Sequence, residues 1–203
     1  MDPVRYISNR SSGKMGFSLA EALARQGAKV TLVAGPVHRN TPKGVVRLDV
    51  VSAEAMAETI FNLAQKVDVY IGAAAVADYT VKHSKAHKIK KAAFTQELTL
   101  FPTVDIIQTL AQRYPHLFLV GFAAETQKIA AYAKAKLKNK SLDLVVANQV
   151  GDDLGFEQDE NEVCIYSRAG ASFAFGPMLK IDLAEHIAEV VAKHYAEKAK
   201  ATS

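Results

Sequence analysis

Three stretches of this chain gather residues suited to holding a phosphorylated or flat ligand. The first, Ser8-Asn9-Arg10-Ser11-Ser12-Gly13-Lys14-Met15-Gly16, opens a helix with small residues, hydroxyls, two glycines and a lysine. Unpaired amides at a helix N-terminus and a backbone exposed by glycine favour phosphate or carboxylate there; the same Ser-Ser-Gly serves plain helix capping equally well. The second is Gly72-Ala73-Ala74-Ala75-Val76-Ala77-Asp78-Tyr79. Its small residues let a ligand approach backbone closely, and the Asp78 carboxylate at the mouth suits a ribose hydroxyl or a metal ion, or else caps a turn. In the third, Gly121-Phe122-Ala123-Ala124-Glu125-Thr126, Phe122 can border a base or simply fill core, and Glu125 can reach a substrate.

Lys136 and Lys140 share one helical face at i, i+4, and Lys134 and Lys138 share another, so the two pairs cannot point at one ligand. Lys88, Lys90 and Lys91 lie in a polar, basic tract, Tyr79 to Lys91, that reads as a flap able to close over a triphosphate, or as a solubilising loop. His83 and His87 are four apart without a third ligand, which is weak for zinc. The chain has neither a Gly-x-Gly-x-x-Gly fingerprint nor a Walker lysine motif, and no Ser-His-Asp set has local support.

The elements that must position these groups alternate. Apolar runs over Lys29–Ala34, Val67–Ala75, Leu117–Ala123 and Leu142–Ala147 read as buried strands of a mostly parallel sheet. Helices are expected from Lys14 to Gln26 with Gly27 as the stop, from Ala53 to about Lys66 with Ser52 as N-cap, over Val104–Arg113 capped by Thr103, through about Lys140 after a Thr126 cap, and from Leu183 to about Lys198. Glu162–Ser167 and Ala171–Phe175, joined by Arg168-Ala169-Gly170, form an antiparallel hairpin added at the end. The fold class is therefore α/β, a doubly wound Rossmann-like sheet, and ligands belong at the carboxyl ends of its strands.

With 203 residues, 49% hydrophobic and 23% charged, the chain reads as one globular domain over 1–203. A net charge of +4 suits anionic small molecules and does not argue for nucleic acid. Cys164 is the one cysteine, so an intrachain disulfide is excluded; between Val163 and Ile165 it reads as a core thiol in a reducing cytoplasm. Neither a bilayer-spanning apolar run nor a signal-peptide pattern is present, so no membrane partner is expected.

Taken in order, Asp2-Pro-Val-Arg-Tyr-Ile-Ser-Asn-Arg-Ser-Ser-Gly-Lys-Met-Gly16, Ala73-Ala-Ala-Val-Ala-Asp78, Lys88-Ile-Lys-Lys91, Gly121-Phe-Ala-Ala-Glu-Thr126 and Ala147-Asn-Gln-Val150 resemble phosphopantothenate–cysteine ligase across nearly the whole chain. The resemblance implies a CTP-dependent ligase that joins 4'-phosphopantothenate to cysteine in coenzyme A biosynthesis. CTP activates the carboxylate as a cytidylyl anhydride, and the cysteine amine then displaces CMP. Carried over by motif, Asn9 and Lys88 are the catalytic candidates; Arg5, Asn9 and Ala74 bind substrate, Arg5 from across a homodimer interface. Gly72, Ala73, Ala74, Asp78, Lys88, Asp105, Phe122, Lys136 and Lys140 bind the nucleotide, with Mg²⁺ accompanying the triphosphate near Asp78. No flavin is expected in this chain, although family members are commonly fused behind a flavin-dependent decarboxylase.

Two departures stand out. Where the family has Lys-Asn-Pro-Asp-Ile, this chain reads Phe101-Pro102-Thr103-Val104-Asp105-Ile106. Family members also open with an apolar strand ending in Gly-Pro-Thr, whereas this chain begins at the loop that follows, so the neighbours of that central strand are expected to lack a backbone partner. A non-catalytic nucleotide-binding or dimerising remnant is accordingly the alternative. An NAD(P)-dependent reductase is opposed by the absent glycine fingerprint.

Overall fold

The computed structural model describes residues 1–91, 95, 97–150 and 159–202. In chain order the elements are α1 (Lys14–Arg25), β1 (Val30–Ala34), β2 (Val45–Asp49), α2 (Ala53–Leu63), β3 (Val69–Gly72), β4 (Tyr79–Val81), β5 (Leu100–Pro102), α3 (Ile106–Arg113), β6 (Phe118–Glu125), α4 (Ile129–Asn139), β7 (Leu144–Gln149), β8 (Glu160–Ser167), β9 (Ser172–Leu179) and α5 (Lys180–Thr202).

β6 and β7 carry continuous apolar runs because both of their faces are covered by helices. They form the centre of a five-stranded sheet in the order β3-β6-β7-β8-β9. β3, β6 and β7 are parallel, with Gly72 opposite Gly121 and Ala123 opposite Ala147. β8 and β9 follow antiparallel, with an irregularity between Asn161 and Val163. Alternation on β6 and β7 sends Phe118, Val120, Leu144 and Val146 towards Leu19 and Ala22 of α1 and Leu183, Ala184 and Ile187 of α5. Leu119, Ala123, Val145 and Ala147 face Met56 and Ile60 of α2, Ile106 and Leu110 of α3 and Ala133 of α4. Each fully buried Val or Leu contributes roughly 1.5–3 kcal/mol of transfer free energy, so these two layers hold the domain together.

β1 and β2 are a separate parallel pair. Among the described residues β1 pairs only with β2, and β3 pairs on one side only, with β6. Among the described residues the sheet is thus interrupted between β1 and β3. Helices bridge the break: Ile71 packs against the cluster that holds Leu19 and Ala22 of α1, while Val33 of β1 and Tyr70 of β3 both pack against the cluster that holds Met56 and Ile60 of α2.

Several local expectations shift. α3 begins at Ile106 with Asp105 as N-cap, its carboxylate accepting the Gln108 N–H at 3.1 Å; Thr103 does not cap, and its hydroxyl donates to Ala77 O at 2.7 Å. α4 starts at Ile129 after Lys128, which takes the left-handed conformation at φ 49°, so Thr126 is no cap. The terminal helix is longer than expected, Lys180–Thr202. Lys198 anchors its end to the buried Asp143 carboxylate at 3.0 Å, and Asp143 also accepts the Leu119 N–H. Cys164 is half-buried because strand alternation turns Val163 and Ile165 inward and the thiol to the other face, where it meets Tyr166. β2, β4 and β5 had no counterpart among the expected strands; β4 and β5 are three-residue segments, too short for a period to register. Among the described residues no helix is long and apolar enough to cross a membrane.

Candidate functional site

The loop before α1 and the loop after β3 form one surface. Gly13 enters α1 at φ 74°, a left-handed conformation that favours glycine, with the Val37 methyl groups 3.4 Å from where a Cβ would lie. One turn on, a Cβ on Gly16 would lie only 3.8 Å from Ala73 Cβ, so α1 backs directly onto the end of β3. Asn9 Nδ2 donates to Ala75 O at 2.6 Å and closes the junction. Ala74 and Asp78 are exposed beside it, and the Asp78 carbonyl accepts the Thr103 N–H at 2.8 Å, tying this loop to β5.

The neighbouring strand end is floored by the Gly72–Gly121 pair. A Cβ on Gly121 would come within 2.8 Å of Leu142 Cδ1 and 3.9 Å of Lys136 Cε; one on Gly72 would come within 3.2 Å of the Tyr70 ring. Lys136 Nζ donates to Phe122 O at 2.5 Å, and Lys140 Nζ pairs with Asp105 Oδ2 at 2.6 Å. Burial pushes the Lys136 ammonium below its ordinary pKa and the like charge of Lys140 adds to this, against the opposing pull of Glu125, Asp105 and Asp78. For Asp105, burial works to raise the carboxyl, but Lys140, the Gln108 N–H and Lys136 together hold it below its ordinary value. The i, i+4 pair therefore does reach the strand ends from one face of α4, while Lys134 turns elsewhere, over the Tyr166 ring. Phe122 packs its side chain against the α1/α5 core, and it is its carbonyl that meets Lys136.

The flap tract begins as β4, which pairs antiparallel with β5. Lys88 is exposed and its side chain makes no hydrogen bond or ion pair among the described residues, whereas Asn9 bonds to Ala75 O and Lys136 to Phe122 O. Arg5 is paired through Nε and Nη2 with Asp2, and Nη2 also donates to Ile89 O at 2.8 Å. Among the described residues no group of three His, Cys, Asp or Glu side chains gathers as a metal site, and His83 and His87 lie exposed on the flap.

The reading of the chain alone missed three residues: Asp2, Tyr70 and the capping role of Asp105. Asp2 carried a signal, an Asx-type turn in which the carboxylate takes the N–H groups two and three residues on. Tyr70 carried none, since an aromatic residue in a buried strand is ordinary.

The class is a mostly parallel α/β domain whose glycine- and alanine-lined loops meet at the carboxyl ends of β3 and its neighbours, the place where open α/β sheets take their ligands. The family model described as the DNA/pantothenate metabolism flavoprotein C-terminal domain matches residues 1–195, and the chain belongs to that family. It is 44% identical over 196 residues, 96% of its own length and 49% of the relative's, to the coenzyme A biosynthesis bifunctional protein CoaBC of Haemophilus influenzae. It is 43% identical over 194 residues, 95% of its own length and 48% of the relative's, to the CoaBC protein of Bacillus subtilis. The chain thus spans about half the length of the curated relatives it matches. A crystal structure of the C-terminal domain of a CoaBC protein superposes with a TM-score of 0.82 at 36% identity, covering 97% of this chain and 89% of that one. A DNA/pantothenate metabolism flavoprotein from Streptococcus pneumoniae shares the fold at a TM-score of 0.75 and 20% identity, over 96% of this chain and 93% of that one.

Proposed function

We propose that this chain is the ligase part of a coenzyme A biosynthesis protein, joining 4'-phosphopantothenate to cysteine with CTP as the activating nucleotide. The observation that carries this reading is the convergence of the Asn9 loop on Ala73–Ala75 beside the Gly72–Gly121 floor and the Lys136/Lys140 pair. In the first step a carboxylate oxygen of 4'-phosphopantothenate attacks the α-phosphorus of CTP and the bond to the β-phosphate breaks, releasing pyrophosphate. In the second the cysteine amine attacks the acyl carbon, loses a proton, and CMP departs. Because the mixed anhydride is already activated, positioning and charge neutralisation suffice and no enzyme nucleophile is needed.

Lys136 and Lys140 take the triphosphate charge, Lys140 exchanging Asp105 for phosphate oxygens. Gly72, Ala73 and Ala74 let the nucleotide lie against backbone, with the Phe122 segment at its edge. Asn9 holds the acyl-cytidylate through its side-chain amide, and Arg5 and Lys88 meet the phosphorylated substrate and close over it. Asp78 offers exposed carboxylate oxygens of the hard type that Mg²⁺ takes alongside phosphates, so the residues present fit that ion. When bound, Mg²⁺ supplies charge neutralisation to the leaving pyrophosphate.

A homodimer is part of the proposal. The β4–β5 ribbon exposes Tyr79 (56%), Leu100 (43%) and Phe101 (38%), and Val4 and Tyr6 are exposed as well, an apolar surface that an isolated two-stranded ribbon does not sustain alone. Cys164 suits a reducing cytoplasm. Relatives 43–44% identical across 95–96% of the chain do not favour the remnant alternative. The decisive test is mass-spectrometric detection of 4'-phosphopantothenoylcysteine from purified protein with CTP, Mg²⁺ and both substrates, with ATP in a parallel arm; product with CTP supports the proposal, and none from a folded sample refutes it.

A further inference from the structure

The segment before the Asn9 loop is held by a carboxylate that the proposed reaction does not use. Asp2 has a side chain sealed from solvent, yet it receives five hydrogen bonds. Oδ1 accepts the N–H groups of Val4 and Arg5, each at 2.9 Å. Oδ2 accepts Arg5 Nε at 3.1 Å, Arg5 Nη2 at 2.5 Å and, from 87 positions away, the Ile89 N–H at 3.0 Å. A carboxylate offers about four lone-pair sites, so this one is saturated. Arg5 Nη2 then returns to Ile89 O at 2.8 Å, which leaves Ile89 held at both its N–H and its carbonyl by the Asp2–Arg5 pair.

The consequence falls on Lys88. The peptide joining Lys88 to Ile89 is planar, so fixing the Ile89 N–H fixes the Lys88 Cα within the same plane. On the other side, Lys85 N–H donates to Met1 O at 2.9 Å. The backbone of Lys88 is therefore bracketed by residues 1–5, while its side chain stays exposed. Arg5 likewise spends Nε and Nη2 on the bracket and leaves Nη1 without a partner among the described residues, with its side chain 45% exposed. Arg5 is held through its guanidinium and Lys88 through the backbone of its neighbour Ile89, both side chains remain exposed, and Asp2 sets one negative charge against the two cations.

We infer that Asp2 is a positioning residue that clamps Arg5 and the Lys88 flap into one unit, shaped to receive the phosphate and carboxylate of a phosphorylated acid. The inference rests on the proposed ligase reading for the identity of that acid, while the clamp itself stands independently of it. Arg5 and Lys88 arrive together, and the nucleotide residues of β3, β6 and α4 are untouched by the clamp.

Asp2→Asn tests this, because the amide keeps the size of the side chain and turns two N–H donors towards groups that are themselves donors. Expected is a KM for 4'-phosphopantothenate raised about tenfold, the loss of one charge-assisted hydrogen bond, with the KM for CTP held within about twofold. Hydrogen exchange at the Lys85 and Ile89 amides is expected to quicken while the β6 and β7 amides keep their protection, and Asp2→Glu, which retains the charge, is expected to recover part of both effects. Unchanged Ile89 exchange with unchanged KM overturns the inference. So does a parallel loss of kcat, both KM values and melting temperature, the mark of a merely structural residue. Should the parent chain show no turnover, the ligase reading fails, and the exchange of Ile89 in Asp2→Asn still decides the clamp.

Discussion

Lys140 Nζ lies 2.6 Å from Asp105 Oδ2, so one ion pair joins the residue that ends α4 to the residue that caps α3. Asp105 thereby does two jobs, and substitutions separate them. Asp105→Asn keeps an acceptor for the Gln108 N–H, whereas Asp105→Ala removes it and is expected to cost about 1 kcal/mol, the usual worth of an N-cap. Urea unfolding at neutral pH checks the difference; equal stability of the two variants contradicts the capping role. The carboxyl pKa is lower folded than unfolded, so the contribution of ionised Asp105 is complete above its ordinary range and is lost as pH falls through the lowered value. The wild type is accordingly expected to lose its advantage over Asp105→Asn only in acid, with no change between about pH 6 and 8.

Lys136 has the opposite handle. Its pKa is depressed chiefly by burial, so on the alkaline side it sheds its proton below the ordinary lysine range. A bound triphosphate favours the charged form, and CTP binding there is expected to take up protons and to weaken as pH rises. Calorimetry in buffers of different ionisation enthalpy measures the uptake. Lys136→Met is expected to abolish it, and a buffer-independent heat for the wild type at alkaline pH contradicts the placement of Lys136 at the triphosphate.

The Gly72–Gly121 floor is tightest at Gly121. Gly121→Ala drives a methyl to within 2.8 Å of the fully buried Leu142 side chain, an overpacking expected to cost roughly 1–3 kcal/mol. Gly176 on β9 has nothing within 4 Å of a built Cβ and a backbone compatible with alanine, so Gly176→Ala is the near-neutral control. Thermal unfolding of the pair decides the point.

The interrupted sheet makes a prediction of its own. Among the described residues β1 and β3 each pair along one edge only, whereas β6 and β7 are paired along both. Amides of β1 and β3 are expected to exchange faster than those of β6 and β7 in mass-resolved hydrogen exchange. Protection of β3 equal to that of β7 contradicts the open edge.

How much of this was legible in the chain follows from the reach of each signal. Long apolar runs made β6 and β7 readable, and the i, i+4, i+8 spacing of Met15, Leu19 and Leu23 gave α1 almost to the residue. The start of α3 was read wrongly because Thr103 and Asp105 both suit a cap, and the choice falls to Asp105 only because the Thr103 hydroxyl is spent on the Ala77 carbonyl, a partner 26 positions away. The cysteine was misplaced because neighbours of like hydrophobicity suggested burial, while a period of two puts them on the other face. The junction of the Asn9 loop with Ala75 spans 66 positions and the Asp2–Ile89 bond 87, distances at which no local pattern carries information.

Asn9 itself is open to a direct test. Its amide donates to Ala75 O from an exposed position, so Asn9→Ala is expected to shift stability by no more than about 1 kcal/mol. Asn9→Asp, which sets an anion against that carbonyl and against the phosphoryl group, is expected to stall the second half-reaction while pyrophosphate release continues for a single turnover. Wild-type turnover by Asn9→Asp contradicts the assigned role.

The central claim rests most directly on pyrophosphate release by the purified chain with Mg²⁺, CTP and 4'-phosphopantothenate, measured with and without cysteine. The account predicts release that requires both CTP and 4'-phosphopantothenate, limited to about one equivalent per site without cysteine and continuing when cysteine is added. Release without 4'-phosphopantothenate, or none from a demonstrably folded sample, contradicts it.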